Sequence, residues 1–309
     1  MSLSFSSDTS DSILFEKKLG RMVHIRPINS VIQKFLRSIE KITVDDLKLI
    51  PYKRFICAHE MLSFFGDDFG DRLVSIVNDY NTGCAVIHFG DFGDLSTNIK
   101  IATAVSHLLS KPIPEPSGNY YGITTVVHND EPAFKILDPY NFFSLHTDGI
   151  FSDNPVDWIM MMKIEEENAI GGESRLLHMA DFDSFEHIYN LKGNAIKFSF
   201  GLDAKDGRYD IFSKVSNMGK AYSNILKKTE DRRQIKFVDQ FILTESINEA
   251  LFINNFQMAL ESCEAIISEP LPVGSMLILN NSFWVHGRAP FERNLNLRRS
   301  LLRQYGYFS

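Results

Sequence analysis

Apolar residues recur at helical spacing in the first third of the chain. After Ser96 or Thr97, one helical face carries Ile101, Val105, Leu108 and Leu109. Three prolines then end this pattern, since proline removes a backbone donor and restricts the residue before it: Pro112, Pro114 and Pro116. Asn29-Ser30 favours the start of another helix running to about Ile42, and Thr43 favours the start of a third.

The pattern changes to short apolar runs from Tyr120 onward. Glycine, proline and asparagine separate these runs, which is typical of strands: Gly122–Val127, Trp158–Ile164, Ser174–Leu177, Ile196–Phe200 and Ser275–Leu279. An earlier run, Cys84–Phe89, also favours a buried strand. Many short strands after N-terminal helices predict an α+β protein with a double-stranded β-helix, or jelly-roll, core.

Residues 203–265 interrupt the strand pattern with polar segments and one predicted helix, Ile247–Cys263. We expect this part to be a helical insertion that acts as a lid over the active site. Residues 1–12 are rich in Ser and Asp and predict a disordered tail. Residues 13–309 are then expected to form one domain.

Composition narrows the range of functions. The formal net charge is -7, and basic residues form no concentrated face, which argues against nucleic-acid binding. No apolar run reaches about 18 residues, so we expect no membrane span. Three cysteines without CxxC spacing favour free thiols in a cytoplasmic protein.

The chain contains two His-x-Asp motifs, and one match is expected by chance. His146-Thr-Asp148 follows a strand-like run and precedes Gly149, which permits a sharp turn. The other motif, His128-Asn-Asp130, precedes Glu131-Pro132 and favours an exposed loop. We therefore prefer His146 and Asp148.

A distant histidine completes a possible metal site. His286 lies in Phe283-Trp-Val-His-Gly-Arg288, after a predicted strand and a turn at Asn280-Asn281. Two imidazoles and one carboxylate are the ligands of non-haem iron(II) oxygenases, and they leave coordination positions open for a co-substrate and O2. This interpretation predicts His146, Asp148 and His286 as ligands of Fe(2+).

The last strand places two arginines on one side. Strand alternation puts Arg299 and Arg303 on the same face as Tyr305. Guanidinium groups bind carboxylates in pairs of hydrogen bonds, so the distal carboxylate of 2-oxoglutarate is one possible partner. Ser174, after the glycine pair Gly171-Gly172, could donate to the same carboxylate. The alternative is that these arginines form ordinary ion pairs with structural acidic residues.

These motifs resemble the taurine-dioxygenase-like and clavaminate-synthase-like iron(II)/2-oxoglutarate oxygenases, and most closely the CsiD family, the glutarate 2-hydroxylases. The resemblance covers roughly residues 117–308. It implies His146, Asp148 and His286 as catalytic iron ligands, with Ser174 and Arg299 at 2-oxoglutarate. It also implies Arg303 at the acidic group of the substrate. Further candidate substrate contacts are Tyr305, Tyr120, Tyr121 and Asp239.

The resemblance has one departure. Where the glutarate hydroxylases carry Arg-Gln-Arg-Gly-Tyr-Phe, this chain carries Arg303-Gln-Tyr-Gly-Tyr-Phe308, so Tyr305 replaces an arginine. A lost cation disfavours a diacid, and similar oxygenases hydroxylate free lysine. We therefore expect a hydroxylase of a small free amino acid, with L-lysine as the first choice and glutarate as the alternative. A binding protein without catalysis, and assembly into a homo-oligomer, also remain open.

Overall fold

The computed structural model describes residues 14–115, 118–131, 138–149, 156–191, 198–200, 221–239, 242–244 and 246–308. The predicted tail, residues 1–12, lies outside these ranges. The helices within them are α1 (Asn29–Ser38), α2 (Val44–Leu49), α3 (Tyr52–Phe65), α4 (Phe69–Asn78), α5 (Leu95–Leu109), α6 (Phe185–Tyr189) and α7 (Ile247–Glu261). Among the helices described, none combines the length and the apolarity that crossing a bilayer requires.

The strands alternate with these helices only in the first third of the chain and dominate the rest. They are β1 (Leu14–Leu19), β2 (Met22–Pro27), β3 (Cys84–His88), β4 (Gly122–Val127), β5 (Phe143–His146), β6 (Trp158–Glu167), β7 (Ser174–His178), β8 (Phe198–Phe200), β9 (Ala221–Ser223), β10 (Leu226–Lys228), β11 (Arg233–Ile235), β12 (Ile242–Leu243), β13 (Ile267–Glu269), β14 (Ser275–Asn280), β15 (Trp284–Arg288) and β16 (Arg298–Gly306).

Side-chain caps decide where two helices begin. Thr43 and Asp46 form a reciprocal capping box at α2, as Thr43 predicted. Asp94, and not Ser96 or Thr97, caps α5 by accepting from the backbone of both. α1 is shorter than expected, because the chain leaves the helix at Ile39 to enter the turn before Thr43.

Two sheets contain most of the strand residues. The large sheet has seven strands in the order β1-β2-β3-β14-β6-β16-β4, and the small sheet has four in the order β13-β7-β15-β5. Their pairings are antiparallel except for β2 with β3. Apart from β1 with β2, neighbours in these sheets are far apart in sequence, so long-range pairing builds the core.

The central strands of the large sheet are buried on both faces. Along β6, Trp158 and Met160 pack into a cluster with the N-terminal helices, whereas Ile159 packs into a cluster shared with the small sheet. This alternation follows from the two-residue period of a strand. The near-continuous apolar run of β6 therefore reflects burial between helices on one side and the second sheet on the other.

The predicted insertion contributes α7 to the body of the protein. Phe256 and Leu260 on α7 are fully buried, and Phe256 contacts the ring of Phe237 edge-on at 4.8 Å. Glu261 at the end of α7 pairs with Arg175, which lies on the face of β7 opposite to its neighbour Ser174. This helix therefore covers the outer face of the small sheet. The proposed lid would have to come from elsewhere in the insertion, and residues 201–220 lie outside the described residues.

Candidate active site

The two predicted histidine ligands meet at the centre of the small sheet. His146 ends β5 and is the direct register partner of His286 on β15, with ring centroids 4.2 Å apart. Asp148 follows after one residue, and its Oδ1 lies 3.5 Å from His146 Nε2. One ligand atom from each of the three side chains lies within 4.8 Å of the other two. In the described ranges, this is the group of His, Cys, Asp and Glu residues that could hold a metal ion.

Hydrogen bonds orient the first imidazole toward this point. His146 Nδ1 lies 2.8 Å from the carbonyl oxygen of Ser144. A carbonyl only accepts, so Nδ1 carries the proton and Nε2 presents its lone pair, as second-sphere partners do in metal sites. His286 is buried, and its Nδ1 has no hydrogen-bond partner among the described residues. An orphaned imidazole nitrogen beside a carboxylate fits a bound metal.

The protonation states also suit a metal. Burial, together with the nearby His146, lowers the pKa of His286 to about 3. Burial acts to raise the pKa of Asp148, but the contact with His146 and the charges of His286 and Arg303 lower it. At neutral pH His286 is therefore a neutral imidazole and Asp148 an ionised carboxylate, which are the metal-binding forms of these groups.

The competing motif has other partners. His128 Nδ1 lies 2.5 Å from the Tyr140 hydroxyl, and Asp130 pairs with Arg293 on the surface. His128 also lies 3.4 Å from Asp130 itself. Within the described residues, His146 and not His128 belongs to the cluster of possible metal ligands, which favours the first motif.

Two buried arginines lie side by side. Arg288 and Arg299 are 5% and 4% exposed, and both guanidinium groups lie near the ring of Phe291, at 5.2 and 5.9 Å. The Nε atoms of both have no partner in the part of the chain that the structure describes. Burial lowers each pKa to about 10, and for Arg288 the charge of Arg299 adds to the effect. Adjacent buried cations with unsatisfied donors favour an anionic ligand.

The glycine pair lies beside the ring of Phe291. Gly171 and Gly172 both have positive φ, at 84° and 72°. A Cβ on Gly172 would lie 1.9 Å from the ring of Phe291, so only glycine admits that ring. Ser174 follows on β7, is buried, and lies opposite Arg288 in the register of β15. Its hydroxyl therefore belongs to the same end of the sheet as the arginines.

Arg303 forms a second charged group closer to the triad. Its pKa is raised by the charges of Asp148 and Glu115 although burial opposes them. Glu115 Oε1 lies 3.5 Å from Arg303 Nη2. Tyr305, on the same face, has its pKa raised to about 12 by burial and by Glu115. A Cβ on Gly122 would lie 2.7 Å from the Glu115 carboxylate, so a larger residue at position 122 would clash with Glu115.

Three predicted substrate contacts have structural partners instead. Tyr120 and Tyr121 pack in the cluster of N-terminal helices, where the Tyr120 hydroxyl bonds to Thr103 at 2.8 Å. Asp239 accepts hydrogen bonds from Ser144 at 2.9 Å and from Gln257 at 2.7 Å. The physical reason is location, because Tyr120 lies on the helical side of the large sheet and Asp239 supports β5. We do not include these three in the site proposed below.

Several residues that support the site were not assigned from the sequence. Arg288 could have been found, since it follows His286 by two residues on a strand and shares its face. Glu115 was a candidate only as a partner for an ammonium group and not for Arg303, and Asn281 and Glu261 carry no such local signal. Each reaches the site from a segment that is distant along the chain.

Comparison with known proteins agrees with this site. The model of the CsiD family matches residues 12–308. The chain is 29% identical over 282 residues to a glutarate 2-hydroxylase of Citrobacter koseri, which covers 89% of this chain and 84% of that protein.

Solved structures show the same fold at low identity. An asparagine oxygenase in complex with Fe(II), 2S,3S-3-hydroxyasparagine and succinate has a TM-score of 0.68 at 12% identity, covering 92% of this chain and 93% of that one. The non-heme iron oxygenase OrfP in complex with Fe and alpha-ketoglutaric acid has a TM-score of 0.66 at 11% identity, covering 92% and 94%. With the family model spanning nearly all of its length, the chain belongs to the CsiD family.

Proposed function

We propose that this protein is an iron(II)/2-oxoglutarate-dependent dioxygenase that hydroxylates a short dicarboxylate, with glutarate as the substrate and 2-hydroxyglutarate as the product. The observation that carries the proposal is the triad of His146, Asp148 and His286. Its ligand atoms converge, its protonation states suit a divalent cation, and buried arginines with unsatisfied donors surround it. Family membership supports the same chemistry.

Glutarate replaces lysine as the first choice. The sequence favoured lysine because Tyr305 stands where an arginine was expected, but the relative with known activity is a glutarate 2-hydroxylase. Three carboxylates are conceivable partners for the ammonium group of lysine: Asp239, Glu115 and Asp206. Asp239 is bound by Ser144 and Gln257, and Glu115 lies against Arg303, while Asp206 lies outside the described residues. Among the described residues, no contact specific for lysine supports that substrate.

Iron(II) in this site would supply the activation of O2 that couples oxidation of 2-oxoglutarate to oxidation of a substrate C–H bond. The overall reaction converts 2-oxoglutarate, O2 and the diacid into succinate, CO2 and the hydroxy diacid. The protein positions these molecules and excludes water.

We assign the remaining roles by charge and position. Arg299, with Ser174, would bind the distal carboxylate of 2-oxoglutarate, and Arg288 would contribute to the same field. Arg303 would bind one carboxylate of the substrate, since it lies near Asp148. Charge-assisted hydrogen bonds of this type contribute about 1.5–3 kcal/mol each.

We propose further that the two sheets form a double-stranded β-helix, in keeping with the fold of the solved oxygenases. A single domain over residues 13–309, a lid within residues 203–265, a cytoplasmic location and a homo-oligomer also remain our proposals. The mixture of helices and antiparallel sheets supports the double-stranded β-helix.

A substrate comparison tests the proposal. The purified protein, loaded anaerobically with Fe(II) and 2-oxoglutarate, would receive O2 and either glutarate or L-lysine. We expect succinate and a product heavier by one oxygen with glutarate alone, read by mass spectrometry. Loss of turnover in His146→Ala is the control. Lysine conversion without glutarate conversion would reverse the substrate assignment.

A variant of Glu115 provides a second test of the substrate. Glu115 shares Arg303 with the incoming carboxylate, so Glu115→Gln should lower the KM for glutarate. A lysine substrate would instead lose a partner and bind more weakly. Measuring the KM of both substrates in this variant separates the two, and Glu131→Gln on an exposed loop serves as a matched control.

A further inference from the structure

One buried amide side chain connects the two segments that carry the metal ligands. Asn281 lies in the turn between β14 and β15 and is 2% exposed. Its Oδ1 accepts from the backbone N–H of Asp148 at 2.9 Å. Its Nδ2 donates to the carbonyl oxygens of Asp148 at 2.9 Å and Val156 at 3.0 Å. The backbone N–H of Asn281 donates to the carbonyl of Asp157 at 2.8 Å.

These contacts constrain the backbone of Asp148 on both sides. A primary amide has two N–H donors, and here both are used, as is the oxygen. The N–H and the C=O of Asp148 are bound by the same side chain, so neither of the two peptide groups that flank Asp148 can rotate without breaking a buried hydrogen bond. Gly149 follows with φ of 69°, which turns the chain immediately after the ligand. The direction of the Asp148 carboxylate therefore depends on Asn281.

The turn that contains Asn281 leads directly to the third ligand. Asn281 precedes β15, and His286 lies on that strand five residues later. A shift of this turn would move His286 and the backbone of Asp148 together. The arrangement keeps the distance between the ligands constant even though they are remote in sequence.

The neighbouring residue shows what a purely local role looks like. The side-chain oxygen of Asn280 accepts two hydrogen bonds from Ser282. The backbone N–H of Ser282 donates one at 3.1 Å, and the Ser282 hydroxyl donates the other at 2.6 Å. The side chain of Asn280 also donates to the Val77 carbonyl on α4 at 3.2 Å. Asn280 is equally buried, at 3% exposed, but it serves the turn and its packing against a helix. It has no contact with the ligand segment among its hydrogen bonds.

We propose that Asn281 is a positioning residue for the metal site, which holds the Asp148 carboxylate in reach of His146 and His286. The inference rests on metal binding by the triad, as in the proposed function. Removing a partner of a metal ligand typically weakens metal binding by about 10–100-fold. An ordinary turn residue would lower stability without that selective effect.

Mn(II) affinity provides a readout that does not depend on turnover. Free Mn(II) would be quantified by electron paramagnetic resonance in titrations of the wild type, Asn281→Ala and Asn280→Ala. We expect Asn281→Ala to bind Mn(II) about 10–100-fold more weakly, while Asn280→Ala lowers the melting temperature but keeps the wild-type affinity. The visible charge-transfer band of Fe(II) with 2-oxoglutarate should weaken or shift only in Asn281→Ala.

The controls separate this proposal from the proposed function. If the wild type binds no Mn(II) or Fe(II), the proposed function fails. If the wild type binds and Asn281→Ala binds equally well, the positioning role is wrong. Should Asn281→Ala not fold, as judged by near-ultraviolet circular dichroism, Asn281→Ser decides by the same titration. Equal loss of affinity in the Asn280 and Asn281 variants would also overturn the proposal.

Discussion

The two strands that carry the histidine ligands are held in place by different means. β15, with His286, lies inside the small sheet, and each of its five residues has a register partner on β7. β5, with His146, is the edge strand of that sheet and has β15 as its one strand neighbour among the described strands. The pairing of β5 with β15 is moreover irregular, with a register shift between His286 and Arg288.

Side chains from distant segments replace the missing neighbour at the edge. Glu261 accepts from the backbone N–H of Leu145 at 2.6 Å, and Asp239 accepts from the Ser144 hydroxyl. Asn281 binds the peptide of Asp148. An open strand edge presents unpaired backbone groups. Glu261 satisfies one of them at Leu145, and Asn281 satisfies the N–H and C=O of Asp148 just past the strand. The comparison teaches that strands on both sides position His286, whereas His146 and Asp148 depend on one strand neighbour together with individual side chains.

Removing a ligand from either strand should have the largest effect. His146→Ala and His286→Ala each leave two ligands, and we expect glutarate-dependent succinate formation to fall by on the order of 10³-fold or more, or about 4 kcal/mol. Mn(II) titration should show lost affinity in both. Turnover that survives either substitution would remove the triad from the mechanism, and with it the comparison of the two strands.

Arginines on an interior strand should affect ligand binding through their charge, and their loss should leave the position of the strand unchanged. Arg299→Met removes a buried donor for 2-oxoglutarate, and the KM for 2-oxoglutarate should rise about 10–100-fold, since such a bond contributes about 1.5–3 kcal/mol. Metal affinity should be unchanged, because β16 is paired on both sides by β6 and β4. Arg298→Met, which breaks only the exposed pair with Glu165, is the matched control.

A lower metal affinity in Arg299→Met would contradict the idea that interior strands stay in place when a side chain is lost. An unchanged KM for 2-oxoglutarate would instead contradict the role of Arg299. The two outcomes are read in separate assays, by titration with Mn(II) and by initial rates of succinate formation.

At the edge strand β5, by contrast, we expect the loss of a supporting side chain to lower metal affinity. Glu261→Ala leaves the Leu145 N–H without its acceptor and Arg175 without its partner. We expect Mn(II) affinity to fall by roughly 10-fold, at the lower end of the range for residues that support metal ligands, with an unchanged ratio of KM values for the two substrates. Glu264→Ala, an exposed substitution just past α7, is the control. Unaltered affinity in Glu261→Ala would mean that β5 needs no support.

The sequence allowed prediction of those parts of the site that follow from local periodicity. His146 with Asp148, and Arg299 with Arg303, could be paired because residues two or four apart share a strand face. The bend at Gly171-Gly172 before Ser174 could also be predicted from the local sequence. His286 was identified from its strand and turn context, and its role was strengthened by a resemblance.

The support of the edge strand could not be predicted in this way. The Glu261 carboxylate reaches across 116 residues to Leu145, and the Asn281 amide reaches across 133 residues to Asp148. No periodicity encodes such contacts, since they arise only when the chain has folded. Tyr120 shows the same limit, because the sequence does not reveal that its hydroxyl bonds to Thr103 in the core.

The other edge strand of the small sheet offers the last prediction, with the smallest effect on catalysis. β13 carries no metal ligand, and its Glu269 is 9% exposed, opposite Ser174 in register. Burial raises the pKa of Glu269 to about 7, above its ordinary value of 4.5. The folded protein therefore binds more protons than the unfolded chain between these values, so stability falls as pH rises through this window and levels off above it.

Glu269→Gln should abolish this pH dependence. At about 1.4 kcal/mol for each pKa unit, the wild type loses at most roughly 3 kcal/mol between pH 4.5 and pH 8, and the variant does not. Urea unfolding at pH 5, 6, 7 and 8 measures the difference, and parallel curves for the two proteins would contradict it. Mn(II) affinity should stay at the wild-type value, because β13 is separated from β5 by two strands. We therefore expect a substitution at an edge strand to change metal affinity only when that strand carries metal ligands, as β5 does and β13 does not.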